Sequence, residues 1–178
     1  ARRDLAGLAE ESGETCFLAL YMPSERRMMY DSRATGARSI QIATELHEPL
    51  PLSSGAAGLA MLSALEPLEI DAVLSGEGRA GGPRATLFEV LAGIRRSGYA
   101  FCRDERIADA VEIAAPLSDA AGRMIGALSI AIPETGFSRD SEPLLSRQVM
   151  DRAKGLSQRL GDTAIRQERR RVQDWAKL

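Results

Sequence analysis

The stretch that most constrains this chain is "ADAVEIAAPLSDAAGRMIGALSIAIP", residues 108–133. Two alternating runs flank "LSDAAGRM", in which Asp119 and Gly122 stand at the ends of a four-residue turn, the signature of a β-hairpin. With Ser118 set opposite Arg123, Val111, Ile113 and Ala115 face the partner strand's Ile130, Leu128 and Gly126 on one side, which is ordinary core filling. The other side joins Ala110, Glu112 and Ala114 to Ala131, Ser129 and Ala127, so that Glu112 lies opposite Ser129. An unpaired buried carboxylate costs several kcal/mol, so Glu112 needs a reason. In one reading the alanines make room for a ligand and Glu112 and Ser129 mark the floor of a wet pocket. In the other, Glu112 meets an arginine at the sheet edge, or the register slips by one residue and turns it to solvent.

The remaining elements set this hairpin in an α+β domain. Leu5, Leu8 and Ala9 recur at helical spacing before "SGE", and "TCFLALYM", "MMYDSRA" and "RSIQIAT" alternate as strands joined by turns. From "PLSSGAAGLAMLSALEPLEIDAVLSG" the pattern turns helical, with Glu66-Pro67 dividing it into two helices. "GEGRAGGPRA" reads as a loop, and "TLFEVLAGIRRSG" as a helix that places Leu87, Leu91 and Ile94 on one face and ends at Gly98. A last helix from Ser141 carries Leu145, Val149, Leu156 and Leu160 on one side. Beyond residue 161 "DTAIRQERRRVQDWAKL" is a charged helical extension, with Trp175 expected to dock on a neighbour. The order predicts a largely antiparallel sheet of about six strands flanked by helices, a layout of the GAF or profilin type.

Composition narrows the function. At 178 residues, with 44% hydrophobic and 27% charged side chains, the chain is long enough for one core without disulfides or metal. A formal net charge of -2 provides no basic field for nucleic acid. Cys16 and Cys102 have no CxxC spacing, which argues against a zinc site or a disulfide framework and fits the reducing cytoplasm. No run approaches the length of a membrane span and no signal peptide opens the chain. Residue 1 is not a methionine, so a segment upstream is expected.

"PLSSGAAGLAMLSAL", "IRRSGYAFCRDERIADAVEIAAPLSDAAGRMIGALSIAIP" and "AKGLSQRLG", in that order over residues 5 to 161, resemble the effector-binding domain of IclR-type transcriptional regulators. The resemblance implies a GAF-like effector domain over 1–161, a helical extension over 162–178 and an upstream winged helix-turn-helix absent from this sequence. It also implies binding of a small metabolite, assembly into homodimers or homotetramers, and DNA contact only through the missing domain. The family's pocket would be lined here by Ala56, Ala57, Cys102, Glu112, Ser129 and Ala131. Ser53 and Leu59 replace the family's usual His and Lys, Cys102 a common Asp, Glu112 a common Cys, and Ala131 a common Ser, while Asp109 stands where Gly is usual. Pocket polarity is therefore rearranged. Because a charged carboxylate on the floor would repel an acid beside it, a ligand bearing hydrogen-bond donors is expected.

Other signals are weaker. "SSGAAG" opening a helix presents amides that suit an anion, or simply close packing. His47, the one histidine, is assigned no role. Neither GxSxG nor a Ser-His-Asp set is present, no cofactor is indicated, and a non-enzyme is expected. The alternatives are a free-standing GAF-like sensor or dimerisation module, and an enzyme using Glu112 as general base.

Overall fold

The computed structural model describes residues 1–38, 42–78 and 84–175, without the side chains of residues 84 and 161–175. The element order is α1 (Arg2–Ser12), β1 (Thr15–Met22), β2 (Arg27–Thr35), α2 (Ala56–Ser63), α3 (Pro67–Gly76), α4 (Arg84–Ser97), β3 (Ala100–Arg103), β4 (Ala110–Ser118), β5 (Met124–Pro133) and α5 (Glu142–Trp175). Two short 3-10 turns precede α5. The strands form one antiparallel sheet in the order β2-β1-β5-β4-β3. Five strands are formed among the described residues. Of the expected third run, 39–41 lie outside the described residues and 42–44 are not strand. Part of the expected loop, 79–83, is likewise outside, as is the side chain of Trp175.

The alternation read from the sequence sorts residues onto two sheet faces. Leu18, Val111, Ile113, Leu128, Ile130 and Ile132 pack with α1 and α5, whose Leu5, Leu8, Leu145, Val149 and Leu156 are buried among them. The opposite face, with Phe17, Tyr30, Ala114, Ala127 and Ala131, packs against α2, α3 and α4. The sheet is thus sandwiched between helices, which suits strands apolar on both sides. All eight residues of α2 are buried, the mark of a core helix rather than a surface one. It comes close to the residues before it, because a Cβ on Gly58 would fall 2.5 Å from the Leu52 carbonyl oxygen.

The expected hairpin turn forms, with Gly122 N donating to Asp119 O at 3.0 Å and Gly122 at φ 76°. Its register differs from the expected one. Asp119, not Ser118, pairs with Arg123, and an irregularity between Leu117 and Ser118 advances the pairing again, so that Glu112 lies opposite Ala131 and Ala114 opposite Ser129. The two steps together slide the strand by two residues, and a slide of two preserves the faces. Glu112 and Ser129 therefore remain on the same side of the sheet as diagonal neighbours rather than a facing pair.

Candidate functional site

The site is built around the start of α2. The residue before it, Gly55, adopts φ 72°, a left-handed conformation that glycine enters without strain. A Cβ there would also fall 2.7 Å from Arg106 Nε. Glycine has no side chain with which to cap the helix, and the first amides of α2 receive no cap from it. Those amides need an acceptor, and Glu112 of β4, distant by 56 positions along the chain, supplies it. Its Oε2 accepts from Ala56 N at 2.8 Å and Ala57 N at 3.5 Å, and its Oε1 accepts from the Tyr30 hydroxyl at 2.9 Å. Glu112 is 4% exposed and Tyr30 fully buried. A carboxylate at a helix N-terminus is electrostatically favoured, and three donors replace much of the water it has lost. Burial, and after it the negative charge of Glu112, push the Tyr30 hydroxyl well above its ordinary pKa, with Arg106 opposing. Tyr30 stays neutral and donates.

The remaining predicted residues converge on the same spot. Cys102 of β3, Glu112 of β4 and Ala131 of β5 form one row across three strands. Burial first, then the charges of Glu105 and Glu112, push the Cys102 thiol far up, so it is a neutral neighbour and no nucleophile. Ser129 is fully buried, facing Ala114 on one side and Phe17 on the other. Its hydroxyl has no hydrogen-bond partner among the described residues, which is unusual for a buried polar group. Ala56 and Ala57 contribute backbone amides and are fully buried. The small side chains of the sheet face lie against α2, and Glu112 meets neither an edge arginine nor solvent.

Three participants were not singled out from the sequence. Tyr30 carried a faint signal, as a buried tyrosine needs a hydroxyl partner; that partner is 82 positions away. Glu105 and Arg106 lie on the connection between β3 and β4. Glu105 Oε2 accepts from Gly55 N at 3.0 Å, and Arg106 donates to Pro51 O at 2.5 Å, to Ser54 O and to Ser54 Oγ at 3.3 Å. This connection is strapped across the segment that starts α2. It is closed by Asp104 N donating to Ala110 O at 2.9 Å and Asp109 N to Asp104 Oδ1 at 3.0 Å. Asp109 adopts φ 53°, a conformation Asp tolerates better than most residues.

Chemically the arrangement holds and orients. Both carboxylate oxygens of Glu112 are engaged by protein donors and the adjacent thiol is neutral. Among the described residues no group of His, Cys, Asp and Glu is placed to hold a metal ion. A separate surface cleft of about 510 Å³, lined by Tyr21, Glu66, Glu69, Asp119 and Arg123 among others, contains none of the predicted site residues. There the Tyr21 hydroxyl donates to Glu69 at 2.7 Å.

An antiparallel sheet sandwiched between helices in this order is a GAF-like fold. The chain matches the family described as bacterial transcriptional regulator IclR C-terminal over residues 1–158, and it belongs to that family. It is 27% identical over 165 residues to the acetate operon repressor of Salmonella typhimurium, covering 89% of this chain and 60% of that protein. It is 26% identical over 159 residues to the transcriptional repressor IclR of Escherichia coli, covering 86% of this chain and 58% of that one. The chain thus spans somewhat less than two thirds of these relatives. Among solved structures, a putative IclR transcriptional regulator from Silicibacter superposes with a TM-score of 0.80 at 27% identity, covering 90% of this chain and 65% of the other.

Proposed function

We propose that residues 1–161 are the effector-binding and self-associating domain of a cytoplasmic, DNA-binding transcriptional regulator. A small metabolite is sensed at the start of α2 by Ala56, Ala57, Cys102, Glu112, Ser129 and Ala131. DNA is contacted through a winged helix-turn-helix outside this sequence, the domain itself is not an enzyme, and residues 162–178 are a helical extension. The observation that carries this reading is the polar cluster buried beneath α2, where the Ser129 hydroxyl has no partner among the described residues beside an engaged Glu112. A structural core gains nothing from an orphan hydroxyl, whereas a site that receives a polar ligand gains a hydrogen bond from it.

Native mass spectrometry of freshly purified protein tests the sensing role. The expected result is a small-molecule adduct that disappears on denaturation and is depleted in the Ser129→Ala and Glu112→Gln variants. Absence of any adduct, together with no thermal stabilisation by a broad panel of polar metabolites, would overturn it.

A further inference from the structure

From the start of α2 we infer that the Glu112 carboxylate is the resident anion of a built anion site, so that this domain refuses external carboxylates there. Three observations carry it. α2 is an eight-residue helix whose preceding residue, Gly55, offers no cap, so its first amides are open donors at the positive end of the helix. Those donors, with the Tyr30 hydroxyl, converge on the two oxygens of one carboxylate, at 2.8 and 3.5 Å from the amides and 2.9 Å from the phenol. That is how a protein grips a free carboxylate: backbone amides on one oxygen, a neutral side-chain donor on the other. Here the gripped group is tethered to β4 and already oriented, so a dissolved acid would have to compete with an intramolecular partner. The third observation is independent of the helix. Ser129, fully buried on the same sheet face, has a hydroxyl without a partner among the described residues, so the site's donor capacity exceeds what Glu112 alone uses.

A second carboxylate entering the cluster would have to displace the first or lie against it, and like charges in a site of low dielectric repel strongly. The ligand class that fits beside Glu112 presents donors instead: an ammonium group or a polyhydroxylated molecule. That statement of ligand class rests on the sensing role proposed above. The resident-anion assignment does not, because it concerns the donors of this chain itself, the α2 amides, Tyr30 and Ser129, whatever metabolite is or is not bound.

Truncating the tether tests it. Glu112→Ala leaves the amides and the phenol in place and, by removing the γ-methylene with the carboxylate, opens a hole about the size of acetate. Acetate and formate are the probes, with chloride at equal ionic strength as control, and the readouts are Tm and the backbone amide resonances of Ala56 and Ala57. Wild type should be indifferent to acetate. The variant should bind it saturably, with both resonances shifting and Tm rising by roughly 3–6 °C at about tenfold excess over Kd. If Glu112→Ala folds only when acetate or formate is supplied, that rescue supports the assignment equally. A folded variant blind to both acids, a variant unfolded with and without them, or a wild type whose amides respond to acetate as the variant's do would each overturn it. None of these outcomes depends on whether a metabolite co-purifies, so failure of the sensing role and failure of the resident-anion assignment remain distinguishable.

Discussion

Glu112 draws its donors from two places, the backbone of α2 above the sheet and the Tyr30 hydroxyl on β2, and so joins elements far apart in the chain. Gln in its place keeps size and one acceptor but loses the charge that strengthens each bond. Glu112→Gln should therefore stay folded and lose about 1–3 kcal/mol. Tyr30→Phe removes one donor and should cost about 1–2 kcal/mol. The double variant should lose less than the sum, because the two share a hydrogen bond. Urea denaturation with unchanged m-values measures all three, and additive losses would show that the carboxylate and phenol act separately. The two thiols make a second case at this scale. Cys16 and Cys102 are 0% and 4% exposed. Burial pushes Cys16 up to about 12 and Cys102 further still, and the thiolate is the reactive form. Native protein at pH 8 should fail to reduce Ellman's reagent until denaturant is added, whereupon both thiols react. Rapid reaction of one thiol in the native state would mean that its shell opens.

Helix α2 shows how an element can be specified from outside itself. Its sequence, "AAGLAMLS", has no acidic residue in the first turn and no basic residue in the last. The complementary charges come from other elements: Glu112 of β4 at the N-terminus, and Arg95 of α4 at the other end, where Nε donates to Ser63 O at 2.5 Å and a terminal nitrogen to Leu65 O at 3.1 Å. Negative charge at the start and positive at the finish is the arrangement the helix dipole favours. Arg95→Met keeps much of the aliphatic stem and removes both bonds. The expected loss is about 1 kcal/mol, since Arg95 is partly solvated and water can reach the carbonyls. Accelerated hydrogen exchange in α2 should accompany it, and exchange unchanged in α2 would refute trans-capping by Arg95. This also marks what the sequence could disclose. The helix, the hairpin and the faces of β4 and β5 were legible because each is a local pattern, and the two-residue slide in register left the faces intact. The role of Glu112 was not, because the alanines that suggested room for a ligand equally accommodate a helix, and the acceptor and its donors are separated by 56 and 82 positions. The family resemblance drew Ala56 and Glu112 into one site without indicating that they bond to each other.

At the scale of the molecule, the core takes in most of the large apolar side chains of the described residues. Among the described residues the large apolar side chains standing out to solvent are Leu68 on α3, Val90 on α4 and Leu144 on α5, one to a helix. Self-association, if carried by this domain, should appear as a dimer or larger species in sedimentation equilibrium at micromolar concentration. A stable monomer would remove assembly from the domain's roles. DNA is the sharper test, because affinity for a duplex comes largely from basic side chains neutralising phosphates. This chain has 25 acidic against 23 basic side chains. Many of its described arginines already face carboxylates: Arg38 with Glu14, Arg103 with Glu134, Arg123 with Asp119, Arg152 with Glu11 and Arg159 with Asp4. Each would have to leave an acid to meet a phosphate, and the acid would then repel the backbone it faced. The chain alone should therefore bind duplex DNA weakly and without sequence preference, with an affinity that collapses as salt approaches physiological strength. Fluorescence anisotropy across a salt series measures this directly. A nanomolar, sequence-selective complex at physiological salt would show that this domain carries DNA recognition of its own and that an upstream reading head is not required for it.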